Sequence, residues 1–280
     1  MNAALATWID GIPGDQLPAD DRGLQYGDGL FETLLVRGGR PRFLDAHLAR
    51  LALGCERLFI RFAVTPAFRA EIAAICAQAA TPAADQSILK IVITRGSAVR
   101  RGYAADGGET ARRILSLWPA APLADSLRTG VTLLPVPERC ADNAALAGIK
   151  HLSRLENVLA LGRAQRADAF DALMTGADGN LVCGAMSNVF LVHAGRVLTP
   201  PVDRAGVAGV LRGIVLRECA ALGIDAAIQA LSLADLQSAD EVFITNARIG
   251  VVPVRRVGEH QFRMDVITRR LASHIEALDA

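Results

Sequence analysis

The sequence predicts a two-part protein of mixed α/β and α+β class. Segments of strand character and segments of helix character alternate along the chain, and a stretch of small residues and prolines at 118–122 (WPAAP) interrupts the alternation. Such a stretch is typical of a linker, because proline cannot continue either kind of element. We therefore expect a smaller α+β subdomain at 1–119, a linker at 120–125, a larger subdomain at 126–280 and a cleft between the two subdomains.

In the first part, four segments rich in branched and aromatic residues are expected to be strands: residues 7–11, 30–36, 88–94 and 114–118. Gly38 and Gly39 predict a hairpin turn, because positive φ is cheap for glycine. Asp45 is expected to be the N-cap of a helix with one apolar face. That face carries Leu48, Leu51, Cys55 and Leu58. Pro66 predicts the start of a second helix, since proline is tolerated in the first turn.

The second part shows the same alternation. Its expected strands are 131–136, 172–174, 189–193 and 241–245. Its expected helices are 155–166, 210–222 and 264–278. Glycine and other turn-forming residues at 177–180 and 194–196 predict two hairpin turns.

The composition excludes several classes of protein. The residues are 51% hydrophobic and 21% charged, the net charge is +1, and no stretch concentrates basic residues, so neither nucleic acid nor a membrane surface is an expected partner. The five cysteines are scattered, which favours a reducing compartment. The chain starts without a signal segment and lacks the run of roughly 18 apolar residues that a membrane helix needs. We therefore expect a cytoplasmic protein.

Motifs of three common enzyme classes are missing. The sequence has no Gly-x-Ser-x-Gly motif, no P-loop and no dinucleotide-binding glycine loop between a strand and a helix. The five histidines do not have the spacing of metal ligands, so no metal site is expected.

Lys150 is one of only two lysines in the chain. All the other residues among the 30 lysines and arginines are arginines. A guanidinium group cannot form a Schiff base at neutral pH. A chain that uses arginine almost everywhere therefore still needs a lysine at a position where an amine reacts. Lys150 is therefore a candidate covalent catalyst. The alternative is that an arginine-biased coding preference left two surface lysines by accident.

Two further features suit the binding of an anion. Arg95, Arg100 and Arg101 follow a predicted buried strand, where their guanidinium groups could bind carboxylate or phosphate; a solvated loop is the alternative. Gly209 precedes a predicted helix, and the start of a helix presents free backbone N–H groups.

Several runs together resemble one enzyme family. They are 146–152 (LAGIKHL) with 154–156 (RLE), 25–31 (QYGDGLF), and 94–97 (TRGS) with 101–103 (RGY). From about Asp20 to its C-terminus the chain resembles the fold-type IV pyridoxal-phosphate enzymes, a group of D-amino-acid and branched-chain aminotransferases and 4-amino-4-deoxychorismate lyases. The runs are most similar to those of the lyases.

The resemblance implies a cofactor, pyridoxal 5'-phosphate, in the cleft between the subdomains. Lys150 would hold it as a Schiff base, and Arg50 would bind its phosphate. Backbone N–H groups of Val210 and Leu211, at a helix start, and the loop at Asn246 and Ala247 would complete the phosphate site. The resemblance also implies a homodimer.

Cys183 departs from the family pattern. It occupies the position where the family usually has a glutamate that pairs with the pyridine nitrogen of the cofactor. A thiol, with an ordinary pKa of about 8.5, is neutral and a weak partner for that nitrogen. We expect this change to favour lyase over transaminase chemistry, because formation of an aromatic product itself drives an elimination. The alternatives are a local misalignment or another acidic group that reaches the nitrogen.

The implied reaction converts 4-amino-4-deoxychorismate to 4-aminobenzoate and pyruvate, a step of folate biosynthesis. Lys150 would act as nucleophile and as the base that removes the C4 proton. Arg95, Arg101 and Arg248 are the candidates for binding the substrate carboxylates. Two alternatives are a D-amino-acid or branched-chain aminotransferase, favoured by Glu32, and a non-catalytic protein that binds pyridoxal phosphate.

Overall fold

The computed structural model describes residues 3–78, 86–97, 102–105, 107–262 and 266–278. The chain divides into two compact units: unit 1 comprises Met1–Pro122 and Ile149–Ser153, and unit 2 comprises Leu123–Gly148 and Arg154–Ala280. Both units contain helices and strands, which confirms the predicted mixed class. The short segment that contains Lys150 belongs to unit 1, although it lies in the second half of the sequence. The linker at 120–125 stays a prediction.

Unit 1 is a single antiparallel sheet with helices. Its elements are β1 (Ala6–Ile9), β2 (Ile12–Pro13), α1 (Arg22–Tyr26), β3 (Gly29–Arg37), β4 (Arg40–Pro41), α2 (Leu44–Arg57), α3 (Pro66–Ala77), β5 (Gln86–Thr94) and β6 (Arg112–Pro119). The strand order is β2-β1-β6-β5-β3-β4. The four strands expected from the sequence are β1, β3, β5 and β6. The predicted hairpin joins β3 to β4, and Gly38 and Gly39 take φ values of 51° and 75°.

The start of α2 corrects one prediction. Its N-cap is Phe43, which has a φ of 53° and makes no capping bond with its side chain, and not Asp45. Asp45 lies inside the first turn, where a carboxylate is also favourable towards the helix dipole. The sequence could not separate these two positions. Leu48, Leu51 and Cys55 are buried as predicted.

The second helix begins as expected. Thr65 is the N-cap of α3, its hydroxyl accepts a hydrogen bond from Phe68 N, and Pro66 occupies the first turn.

Unit 2 is built around a larger sheet. Its elements are α4 (Ser126–Thr129), β7 (Val131–Arg139), α5 (Leu155–Arg166), β8 (Asp171–Thr175), β9 (Leu181–Gly184), β10 (Asn188–His193), β11 (Arg196–Thr199), α6 (Val210–Ala221), β12 (Ala226–Ile228), α7 (Leu233–Gln237), β13 (Glu241–Asn246), β14 (Gly250–Val257), β15 (His260–Gln261) and α8 (Val266–Ala277). The strand order is β12-β11-β10-β13-β14-β7-β8-β9, and β15 pairs with β14. β7, α5 and β8 form a parallel crossover unit.

The three long helices of unit 2 agree with the sequence predictions. α5 has the predicted bounds, and α6 begins at the predicted residue. The third helix was expected from residue 264, which lies outside the described residues; its described part is α8. In the described part of the chain, no helix is long and apolar enough to cross a membrane.

Two kinds of contact stabilise unit 2: ring stacking between neighbouring strands, and hydrogen bonds between a strand and α8. The rings of Phe190 and Phe243, cross-strand neighbours on β10 and β13, stack with centroids 4.7 Å apart. The buried carboxylate of Glu241 on β13 accepts hydrogen bonds from Thr268 N at 2.9 Å and Ile267 N at 3.3 Å. It therefore caps the start of α8 from a distant strand.

Candidate active site

The segment around Lys150 lies along the edge of β3 in unit 1. Phe31 N donates to Lys150 O at 2.9 Å, and Leu152 N donates to Gly29 O at 3.0 Å. A side chain at Gly29 would collide with this arrangement, because a Cβ there would lie 2.5 Å from Ile93 O and 2.8 Å from Leu152 Cδ1. Backbone pairing therefore fixes where the Lys150 side chain starts.

The amine of Lys150 lies over an aromatic ring. Lys150 Nζ is 4.2 Å from the centroid of the Phe31 ring, within the range of a cation–π interaction. Lys90 Nζ is 5.5 Å from the same centroid, but Lys90 is an exposed residue in the middle of β5. Lys150, which its surrounding sequence singles out, is therefore less exposed than Lys90.

Arg50 belongs to a buried ionic cluster in the same unit. Glu32 on β3 accepts hydrogen bonds from Arg50 Nε at 2.8 Å and from Arg50 Nη2 at 2.5 Å. Its Oε2 atom also lies 2.6 Å from His47 Nδ1. The side chains of Glu32 and His47 are each 1% exposed. We call these three residues the Glu32 cluster.

Burial and pairing set the charges in the Glu32 cluster. Burial alone would raise the pKa of Glu32, but the His47 hydrogen bond and the charge and hydrogen bonds of Arg50 together hold it below its ordinary value. Burial is the main reason that the pKa of His47 is lowered, with smaller contributions from the charges of Arg50 and Lys150. Glu32 is therefore ionised at neutral pH and His47 is neutral.

No functional role was predicted for His47 from the sequence, and Glu32 was not paired with Arg50. A signal was present in the sequence. Glu32 interrupts an alternation in which Leu30, Leu34 and Val36 face the same side of β3 and are buried. A carboxylate at such a position needs a partner.

Arg95 is held inside unit 1. Its Nε and Nη2 atoms donate to the Asp28 carboxylate at 2.8 and 3.0 Å, and its guanidinium also donates to Leu58 O and Phe59 O. Four of the five donors of the guanidinium group are thus used within the protein. Arg101, the second candidate for the substrate carboxylates, lies outside the described residues.

In unit 2, α6 starts at Val210 after an N-cap glycine, Gly209, that offers no side chain to the first turn. A Cβ at Gly209 would lie 2.0 Å from Asn188 Oδ1, so any other residue there would require the Asn188 side chain to move. The backbone N–H groups of Val210 and Leu211 are in the first turn, where a helix has no internal acceptors for them. This arrangement suits an anion.

The side chain of Asn246 is engaged within unit 2. Its Nδ2 donates to Met186 O at 3.2 Å, and its Oδ1 accepts hydrogen bonds from Arg248 N at 2.9 Å and Ile249 N at 3.0 Å. The amide therefore holds the turn between β13 and β14. Ala247 lies in this turn, and the side chain of Arg248 is exposed.

Cys183 on β9 is paired with a second thiol. Its Sγ lies 3.8 Å from Cys140 Sγ, and both residues are buried among apolar side chains. The hydrogen bond with Cys140 and burial, together with the nearby charge of Asp171, raise the pKa of the Cys183 thiol well above its ordinary value. Cys183 is therefore a neutral thiol at neutral pH.

Comparison with known proteins gives one consistent result. Residues 29–257 match the family of amino-transferase class IV. The chain is 33% identical to an aminodeoxychorismate lyase of Vibrio harveyi over 274 residues, which cover 96% of this chain and 98% of that protein.

Two solved structures have the same fold. The structure of 4-amino-4-deoxychorismate lyase from Pseudomonas aeruginosa shares 41% identity, covers 98% of this chain and 100% of its own, and has a TM-score of 0.91. A hypothetical aminotransferase from Mycobacterium tuberculosis in its PLP-bound form shares 25% identity, covers 94% of this chain and 93% of its own, and has a TM-score of 0.82. With the family match over most of its length, this chain belongs to the amino-transferase class IV family.

Proposed function

We propose that the protein is a lyase that uses pyridoxal phosphate to convert 4-amino-4-deoxychorismate into 4-aminobenzoate and pyruvate. The observation that carries the proposal is the fixed position of Lys150, one of two lysines in the chain, on the edge of β3. Two similar proteins that match this chain over nearly their whole lengths are lyases of this name.

The residues present fit the cofactor. Pyridoxal phosphate would supply an aldehyde that accepts an amine and a ring that withdraws electrons from the substrate carbon. Lys150 provides the amine, and Arg50 provides a guanidinium group held in one orientation for the phosphate. The N–H groups of Val210 and Leu211 suit the same anion, and Asn246 and Ala247 would contribute backbone groups, since the Asn246 amide is engaged in its own turn.

In the proposed reaction, Lys150 is the base. Its amine would take the proton from C4 of the substrate ring as the C3–O bond breaks, which leaves an aromatic product. The departing enolpyruvate gains a proton and becomes pyruvate. Of the candidates for the substrate carboxylates, Arg95 would have to leave Asp28 or the carbonyls of Leu58 and Phe59, whereas the side chain of Arg248 is exposed. Arg95 is therefore a weaker candidate than Arg248.

Cys183 supports a lyase over a transaminase. We propose that this thiol faces the ring nitrogen of the cofactor, where a neutral group cannot hold the nitrogen protonated as a carboxylate would. A transaminase depends on that proton for its electron sink, whereas an elimination that creates an aromatic ring depends on it less. We further propose that the protein acts as a homodimer in the cytoplasm on this small-molecule substrate.

A direct assay tests the function. Purified protein with added pyridoxal phosphate is given enzymatically made 4-amino-4-deoxychorismate, and pyruvate is followed with lactate dehydrogenase while 4-aminobenzoate is followed by its fluorescence. Equal release of the two products is expected. In parallel, D-alanine or leucine is supplied with 2-oxoglutarate. Formation of glutamate from D-alanine or leucine, with no pyruvate released from 4-amino-4-deoxychorismate, would identify an aminotransferase. A yellow protein inert in both assays would identify a non-catalytic binding protein.

A further inference from the structure

Neither Glu32 nor His47 has a task in the proposed reaction, yet both are almost fully buried. A carboxylate out of contact with water costs several kcal/mol unless it is paired and hydrogen-bonded. Glu32 meets this condition through three close contacts: two with Arg50, at 2.8 and 2.5 Å, and one with His47, at 2.6 Å. The arrangement calls for an explanation beyond packing, since a hydrophobic residue would fill the same space at lower cost.

The geometry fixes the direction in which Arg50 points. Glu32 binds the Nε–Nη2 edge of the guanidinium with both of its oxygens. A guanidinium group is planar and rigid, so holding one edge also fixes where the remaining N–H groups point. Glu32 follows Phe31 in β3, and Phe31 N is bonded to Lys150 O. One short stretch of strand thus determines both the backbone of Lys150 and the orientation of Arg50.

His47 completes the arrangement from α2. Because Glu32 is ionised and can only accept, the proton between the two residues belongs to His47 Nδ1. His47 Nε2 is buried and has no hydrogen-bond partner among the described residues. The ring therefore acts on Glu32 through Nδ1 alone, and because the ring is neutral it holds the carboxylate without a second positive charge.

We propose that Glu32 and His47 are positioning residues for Arg50: Glu32 clamps one edge of the guanidinium, and His47 Nδ1 holds Glu32 in place, so that Arg50 meets the phosphate of the cofactor in a single orientation. This inference rests on the proposed function, in which Arg50 binds that phosphate.

Charge and orientation make opposite predictions here. The negative charge of Glu32 opposes a bound phosphate, so its removal would tighten phosphate binding if charge were the dominant effect. If orientation dominates, its removal weakens binding despite the lost repulsion. Glu32→Gln keeps the size of the side chain but replaces one acceptor oxygen with a donor, which cannot receive Arg50 or His47.

The experiment compares the dissociation constants of pyridoxal phosphate and pyridoxal for the cofactor-free protein. Both ligands react with Lys150, but only the first presents a phosphate to Arg50. For Glu32→Gln we expect pyridoxal phosphate to bind ~10-fold or more weakly, the lower end of the effect seen when partners that orient metal ligands are removed. Pyridoxal binding should stay unchanged. Unchanged or tighter binding of pyridoxal phosphate, or equal weakening of both ligands, would overturn the inference.

Two variants of His47 test the assigned nitrogen and do not depend on Glu32→Gln folding. His47→Asn keeps an N–H donor near the position of Nδ1, whereas His47→Gln places its amide near Nε2. We expect His47→Asn to bind pyridoxal phosphate like the wild type and His47→Gln to bind it more weakly. Equal behaviour of the two variants would contradict the role of Nδ1.

The control is Glu71→Gln, which alters another carboxylate–arginine pair of the same unit, with Arg113 Nε 2.6 Å from Glu71 Oε2. It should leave both dissociation constants unchanged. Wild-type protein that binds neither ligand, or that binds both equally, would instead refute the proposed cofactor site. That result is distinguishable from a failure confined to the Glu32 and His47 variants.

Discussion

Phe31 contacts Lys150 twice: its backbone N–H donates to Lys150 O at 2.9 Å, and its ring centroid lies 4.2 Å from Lys150 Nζ. The two contacts act at opposite ends of the lysine. The backbone bond fixes where the side chain starts, and the ring limits where the amine can lie. A long side chain loses up to about 2 kcal/mol of rotamer freedom when it is ordered. The two contacts with Phe31 already order part of the Lys150 side chain before a ligand binds.

Replacing the proposed reactive amine, that of Lys150, should abolish activity. We expect Lys150→Ala to remove both pyruvate release and the absorbance of bound cofactor at visible wavelengths, because no other residue of the segment carries an amine. Lys90→Arg is the matched control, since Lys90 is the other lysine and is exposed. It should retain both signals. Normal 4-aminobenzoate formation by Lys150→Ala would refute the assignment.

The ion pair between Asp28 and Arg95 should contribute measurably to stability. Asp28 Oδ2 accepts from Arg22 Nε and from Arg95 Nε, each at 2.8 Å, and the three side chains are largely buried. Asp28→Asn removes the negative charge that the two guanidinium groups share, so we expect the free energy of unfolding in urea to fall by roughly 2 kcal/mol.

The matched control for Asp28 is Asp45→Asn. Asp45 pairs with Arg69 at 2.6 Å, but the two side chains are 88% and 45% exposed. Exposed pairs contribute about 0 to 1 kcal/mol, so this variant should unfold nearly like the wild type. Similar losses in the two variants would contradict the importance given to burial.

The cysteines should not react in the folded protein. All five are buried and free. Burial raises the pKa of Cys55 and Cys76 to about 12 and that of Cys219 to about 11, and the pKa of Cys183 is also raised. The reactive thiolate is therefore scarce near pH 8. Titration with a disulfide reagent should show no fast thiol in native protein and all five in guanidinium chloride; one fast thiol in the native state would contradict the burial.

Local patterns predicted the long elements, and non-local contacts explain what was missed. α5 and α6 were predicted because their apolar residues recur with helical spacing and, for α6, because Gly209 precedes the first turn. β14 was missed because Pro253 interrupts its apolar run, although the proline is accommodated where β14 pairs with β13. The shortest elements carry too few residues to show a period.

In the candidate site too, local sequence patterns indicated some residues, whereas non-local contacts set the others. Lys150 was singled out because its neighbours in sequence are distinctive, and its role stays a prediction. For the Glu32 cluster, the strand pattern indicates only that Glu32 needs a partner. Nothing local to Glu32 indicates that the partners are Arg50 and His47, because they lie on a helix. The same holds for Arg95, whose partner Asp28 lies 67 positions away in the sequence.

Asp171 should make stability depend on pH. Its carboxylate is buried on β8, and burial raises its pKa from 3.8 to about 6, although the Ser187 hydroxyl at 2.7 Å and backbone N–H groups favour the charged form. Because the folded-state pKa exceeds the unfolded one, the folded protein binds the proton more tightly. This contribution to stability is complete below about pH 4 and is lost as the pH rises through about 6.

Asp171→Asn removes the titration but keeps the contacts. The amide oxygen can accept from Ala172 N and Met186 N, and the amide N–H can donate to Ser187 Oγ after the hydroxyl rotates. We expect the free energy of unfolding of the variant, relative to the wild type, to increase by about 1 kcal/mol between pH 5 and pH 7.5, which follows from 1.36 kcal/mol per pKa unit. Urea unfolding at the two pH values measures it.

The control for Asp171 is Asp178→Asn, an exposed carboxylate with the opposite shift. Hydrogen bonds from the Asn180 side chain and backbone lower the pKa of Asp178. The stability it contributes is present above the unfolded pKa of about 4 and is lost only below it, so the difference between this variant and the wild type should be constant from pH 5 to 7.5. A constant difference for Asp171→Asn as well would mean that Asp171 is ionised throughout this range, and that its hydrogen bonds with Ser187 and the backbone outweigh its burial.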